Sequence, residues 1–119
     1  MRTIAAAMLL GVVGASAAMT SGPALATGFK LDCASLDEYR SPKTGRPAKL
    51  IVENERATDI ELKVIRNNGA DISLGPVKGK SKREVTTRLR YVFSIHEPKG
   101  GKCIQGVRMT DDLITIVVK

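Results

Sequence analysis

Few residues in this chain could do chemistry. His96 is the sole histidine, and Ser94 stands two positions before it. Side chains two apart on a strand share a face, so this pair has the residue types of a nucleophile and its base. Their backbones would be roughly 6.5–7 Å apart, and the sequence offers no third group to orient the imidazole. The expected reading is a solvated histidine on a polar strand face, with no catalytic residue and no enzymatic activity. One histidine and two cysteines give no zinc or blue-copper spacing, so neither a metal nor another cofactor is expected. Asp111 and Asp112 are adjacent and would point to opposite faces of an extended chain, which suits a turn better than paired acid–base work. Glu53, Glu55, Asp59 and Glu61 alternate with Arg56 and Lys63 as a solvated sheet face does.

The most distinctive polar feature is basic. Lys78, Lys80, Lys82, Arg83, Arg88 and Arg90 place six cations in thirteen positions, offset only by Glu84. Such density makes them candidates for anion binding. The competing reading is that Lys and Arg guard an edge strand against sheet-to-sheet pairing. Nucleic-acid surfaces add stacking aromatics to their cations. Here Tyr91 and Phe93 fall on the core parity of their strand, so nucleic acid is not an expected partner.

The elements that must position these residues begin with an export signal. Arg2 precedes an uncharged stretch from Ile4 to Met19, a Thr20-Ser21-Gly22-Pro23 break follows, and Ala24-Leu25-Ala26 supplies a small-x-small cleavage site. Residues 1–26 are therefore expected to be a signal peptide, the stretch being too short in a helix to cross roughly 30 Å of hydrocarbon. Ala15-Ser16-Ala17 is a second possible cleavage site, and an uncleaved anchor is the alternative. The whole chain has 19 Lys and Arg against 12 Asp and Glu, net +7; only Arg2 is lost with the leader, so the remainder carries +6. That remainder, about 93 residues, suits one domain with an aliphatic core. No membrane span is expected in it, and its destination is the periplasm or the medium.

Two cysteines, Cys33 and Cys103, remain after cleavage. An even pair in a small exported domain predicts a disulfide. Closing a loop of this length would contribute about 4 kcal/mol in the chain-entropy view. Residues 27–47, punctuated by Pro42, Gly45 and Pro47, show no period of either kind and are expected to be an irregular segment tethered through Cys33.

From residue 48 to 119 the pattern is β. Leu50 and Val52 alternate with Ile51 and Glu53; Ile60, Leu62 and Val64 alternate with Asp59, Glu61 and Lys63. Leu89, Tyr91, Phe93 and Ile95 predict one long strand whose polar side includes Arg88, Arg90, Ser94 and His96. Weaker strands are expected at 72–77, 83–87 and 103–108. Residues 113–118 are apolar on both parities except Thr115, which suits a strand covered on both faces. For the hairpin after Val64, a three-residue loop, Asn67-Asn68-Gly69, pairs Val64 with Ile72 and Leu62 with Leu74, and puts Gly69 at the left-handed position. About seven such strands predict an all-β, antiparallel immunoglobulin-like sandwich, with a small barrel as the alternative.

Val52-Glu53-Asn54, Asp59-Ile60-Glu61-Leu62 and Leu74-Gly75-Pro76-Val77 resemble the V-x-N, D-hydrophobic-x-hydrophobic, L-G-x-V rhythm of small exported bacterial immunoglobulin-like β-sandwich domains. The resemblance covers about residues 48–118 and implies the sandwich fold. That group has no assigned activity, so no reaction follows from it, and the Cys33–Cys103 pair has no match in it.

The expectation is an exported, non-enzymatic binding or structural domain that recognises a protein or an anionic component of the cell envelope. The alternatives are a secreted inhibitor or immunity-type protein acting through residues 27–47, or a small hydrolase built around His96. The sequence does not address oligomeric state.

Overall fold

The alternating stretches form eight strands in the structure, a computed structural model that describes residues 29–119; the expected signal peptide and its cleavage sites lie outside the described residues. The strands are β1 (Lys30–Leu31), β2 (Pro47–Asn54), β3 (Ile60–Ile65), β4 (Asp71–Val77), β5 (Ser81–Arg88), β6 (Val92–His96), β7 (Cys103–Arg108) and β8 (Leu113–Val118). They make two sheets, one in the order β1-β7-β6-β3-β4 and the other β5-β2-β8. Strands β7, β6, β3 and β4 follow the G-F-C-C′ order of immunoglobulin sheets, with β2 and β5 as the facing B–E pair. Neither sheet closes on itself, so the sandwich holds and the barrel does not.

Period-two patterning decides what faces inward. β2 buries Ala48, Leu50, Val52 and Asn54, while β8 buries Ile114, Ile116 and Val118. From the other sheet Ile60, Leu62, Val77, Phe93, Ile95 and Val107 complete the core, with Met109 beyond β7. Burying each such aliphatic or Phe side chain contributes about 1.5–3 kcal/mol. The structure corrects the two-faced reading of residues 113–118, because Leu113 and Val117 stand on an outer face left uncovered among the described residues and are 59% and 38% exposed. β8 also runs parallel to β2, the exception in an otherwise antiparallel fold. Both strands enter their sheet from the same end, here called the upper end, where β5 finishes; β5 starts at the lower end.

The hairpin loop forms as its register requires. Val64 pairs with Ile72, Gly69 has φ +89°, and the Gly69 and Arg66 amides donate to Arg66 O and Ala70 O at 3.0 and 2.8 Å. Leu62 meets Gly75 instead of Leu74, since a bulge between Leu62 and Lys63 slips the ladder by one residue.

Two sequence expectations need further correction. The single strand across residues 88–96 is two strands in different sheets, joined through Leu89–Tyr91, where Arg90 has φ +71°. Alternation continued through the link because Leu89 and Tyr91 keep core-like parity on either side of Arg90. Residues 27–47 are not uniformly irregular either. They contain β1, paired to β7, and a 3-10 helix over Cys33–Glu38. Leu36 and Leu31 press so closely on Gly106 that a β-carbon there would sit 2.6 Å from Leu36 Cδ2. The Cys33–Cys103 disulfide pins this segment over the outer face of β6 and β7. Among the described residues no helix is long and apolar enough to cross a membrane.

Candidate functional site

Two hollows flank the β3–β6 pair on opposite faces of their sheet. The outer one, of about 500 Å³, lies beneath the tethered N-terminal segment. Ser94 is opposite Gly106 on β7 and beside Lys63 on β3, while His96 is opposite Glu61. The N-terminal segment covers this face, so Val92 and Ser94 are buried at 0% and 2% exposure, contrary to the solvated face expected from sequence. His96 Nδ1 lies 3.0 Å from the Gly101 carbonyl, which can only accept, so Nδ1 carries a proton. Nε2 lies 2.8 Å from Ser94 Oγ. The spacing argument had left these side chains apart; curvature at the β6–β7 bulge and the 97–102 turn bring the ring back over Ser94.

The charged groups beside this pair on β3 have partners. Glu61 Oε1 accepts from the Gly100 amide at 2.8 Å. The Ser73 hydroxyl, that amide, and the nearby charges of Lys63 and His96 hold the Glu61 carboxyl below its ordinary pKa. Lys63 Nζ is 3.5 Å from Asp71, and Arg108 stacks over Tyr39 with 5.6 Å to the ring centroid. The Ser–His pair has a backbone carbonyl where a hydrolase triad has a carboxylate, and Ser94 Oγ sits in a side chain closed to solvent. Among the described residues no three His, Cys, Asp or Glu gather as a metal ion would require.

The six sequence-predicted cations do not form one patch. Lys78 and Lys80 occupy the lower β4–β5 turn, Lys80 with φ +58°. Lys82 faces outward opposite Glu53. The hollow that Lys80 and Lys82 line, about 390 Å³, is also lined by Glu53 and Glu55, so its charge is offset. Arg83 has inward parity and its Nη1 reaches Pro76 O at 3.4 Å. Arg88 and Arg90 lie at the other end of β5; from Lys82 to Arg88 a strand covers about 20 Å. Arg88 Nη1 donates to Gly45 O at 2.9 Å, and the Arg90 amide donates to Met109 O at 2.7 Å.

At this upper end the fold adds two cations that sequence proximity could not reveal. Lys43 and Arg66 line a hollow beside Ile72, Val64 and Tyr91. The 41–46 segment is fixed there because the buried Ser41 hydroxyl donates to Ile65 O and accepts from the Val92 amide at 3.0 Å, and Leu89 N donates to Arg46 O at 2.8 Å. The ion pairs among the described residues are Arg46–Asp112, Lys49–Glu84, Arg56–Glu97 and Lys63–Asp71. None involves Lys43, Arg66, Arg88 or Arg90. Compared with known proteins, the chain matches no protein-family model and none of the curated proteins.

Proposed function

We propose that this chain is an exported, non-enzymatic binding domain that recognises an anionic component of the cell envelope through its upper end. The observation that carries the reading is the set of cations without acidic partners there: Lys43, Arg66 and Arg88 line adjoining hollows in which no Asp or Glu takes part. A net +6 on the chain after residue 26 supports long-range attraction of an anion. The disulfide fits an oxidising compartment, and the N-terminal sequence pattern supplies the route to it.

Cosedimentation with phosphatidylglycerol and phosphatidylcholine vesicles tests the reading. The parent chain is expected to pellet with the anionic vesicles only, and less at high salt. Arg66→Glu with Arg88→Glu should abolish this, whereas Lys80→Glu with Lys82→Glu should reduce it only slightly. Equal losses from the two pairs, or none from the first, contradict the assignment. Export is tested by the mass of protein recovered outside the cytoplasm, expected to begin at or near Thr27; full-length chain confined to the cytoplasm contradicts it.

The hydrolase reading rests on the 2.8 Å contact between Ser94 and His96. Labelling of Ser94 by a fluorophosphonate probe would establish it over the binding reading; the burial of Ser94 leads us to expect none.

A further inference from the structure

The core of this sandwich is not closed along its β4–β5 side. A five-stranded sheet faces a three-stranded one, so the inner face of β4 extends past its cover. Val64, Leu74, Val85 and Tyr91 pack against the core yet stay only partly buried, and Ile72 is 41% exposed. Between the sheets they leave a groove of about 450 Å³, floored by Phe93 and reaching Pro47 and Arg88 at its upper end. The smaller hollow bearing Lys43 and Arg66 adjoins it, with Val64 and Tyr91 lining both. The groove by itself falls within the roughly 300–1,000 Å³ of small-molecule sites.

One polar atom in this apolar lining has no partner. Thr87 has the inward parity of Val85 on β5, lines the groove and is 8% exposed. Its Oγ1 is the buried side-chain oxygen or nitrogen left without a hydrogen bond among the described residues. Burying a hydroxyl without a partner costs about 1–3 kcal/mol, so a hydrophobic side chain would serve the free protein better there. Thr87 and Arg88 both line the groove, though on opposite parities of β5.

We propose that the groove binds a single-chain anionic amphiphile, a fatty-acid-like molecule taken up one at a time. Its alkyl chain lies between the sheets along Val85, Leu74, Val64 and Phe93. Its anionic head sits at the upper mouth, facing Arg88, with Arg66 and Lys43 in the adjoining hollow. The head group rests on the anion-binding reading above; the tail rests on the groove alone. No acidic side chain lines either hollow, so a carboxylate meets no repulsion there, whereas a cationic amphiphile would.

Calorimetry with monomeric propanoate, decanoate and 1-decanol separates the two parts. Decanoate is expected to bind one to one, each buried methylene strengthening binding roughly fourfold, with a negative heat-capacity change. Decanol should bind at least ~10-fold more weakly, the scale of a charge-assisted hydrogen bond. Val85→Phe, which fills the groove, should weaken decanoate while sparing the vesicle binding described above. Because that variant alters packing, Arg66→Glu with Arg88→Glu provides a surface test and should bring decanoate down to the decanol level. If decanoate and propanoate bind alike, the groove is empty of ligand and the proposal is overturned, while anion recognition stands. If decanol equals decanoate and the arginine reversal changes nothing, the head-group assignment falls together with the anionic reading. Absence of binding by all three overturns the groove proposal, and the vesicle experiment decides the anionic reading separately.

Discussion

The two faces of the β3–β6 pair carry hollows of similar volume and opposite chemistry. On the outer face, Ser94, His96, Glu61 and Lys63 each have a partner, and a disulfide-anchored segment holds the cover in place. On the inner side, the groove between the sheets is apolar, open along β4 and β5, and holds one hydroxyl with no partner. Buried polar groups that satisfy one another stabilise and fix a structure. A buried polar group left over is a cost the free protein bears. The outer constellation has the residue types of catalysis and the bonding pattern of a strut, whereas the inner groove has unremarkable residue types and an open apolar wall.

The largest test of this contrast removes the strut. Cys33→Ser with Cys103→Ser opens a loop whose ends are 70 positions apart, and about 4 kcal/mol of stability is expected to go. For a domain of this size that is tens of degrees in Tm at roughly 4–8 °C per kcal/mol, read by calorimetry. Decanoate affinity at a temperature where the variant stays folded should change little, because the segment covers the other face.

Ser41→Ala comes next. It strips the partner from the Ile65 carbonyl and the Val92 amide, both served by one buried hydroxyl, and should cost about 2 kcal/mol in denaturant unfolding. Since Ser41 also fixes the 41–46 segment at the mouth of the groove, decanoate binding should weaken with it.

Thr87→Val has the opposite sign. Replacing an unpartnered hydroxyl by a methyl of similar shape should stabilise the free protein by about 1 kcal/mol. A loss of stability would mean that Oγ1 is already satisfied and the two hollows are alike in bonding.

The smallest effect lies on the outer face, at Glu61 opposite His96. The folded-state pKa of Glu61 is lowered, chiefly by Ser73 and then by the Gly100 amide. Its contribution is therefore present above the ordinary glutamate pKa and lost as pH falls through the lowered folded value. Glu61→Gln should slightly flatten the acid side of the Tm–pH curve and leave the neutral region nearly unchanged.

Much of the frame was legible because it depends on local pattern. The alternation in residues 48–54 and 60–65 specified inward faces, and the Val64–Ile72 register required the loop that places Gly69 at positive φ. The pairing of Cys33 with Cys103 followed from their number alone. What failed depended on neighbours. Alternation through Leu89 to Ile95 could not show that the chain changes sheet at Arg90. The apolar run in β8 could not show that the three-stranded sheet has no cover on its outer face. Counting cations along residues 78–90 joined groups that β5 holds at opposite ends, and it missed Lys43 and Arg66, which the 41–46 segment and the β3–β4 loop bring to the upper end. The groove itself comes from unequal sheet widths, a property that no segment of sequence carries.

The most direct test of the central claim is a methyl and amide NMR titration of the native, oxidised protein with monomeric decanoate. Shifts are expected at the Val64, Leu74 and Val85 methyls and at Thr87, saturating together at one equivalent, while the His96 ring and the Leu36 methyls stay in place. Saturable shifts centred on His96 and Leu36, with the groove methyls unmoved, would contradict the account.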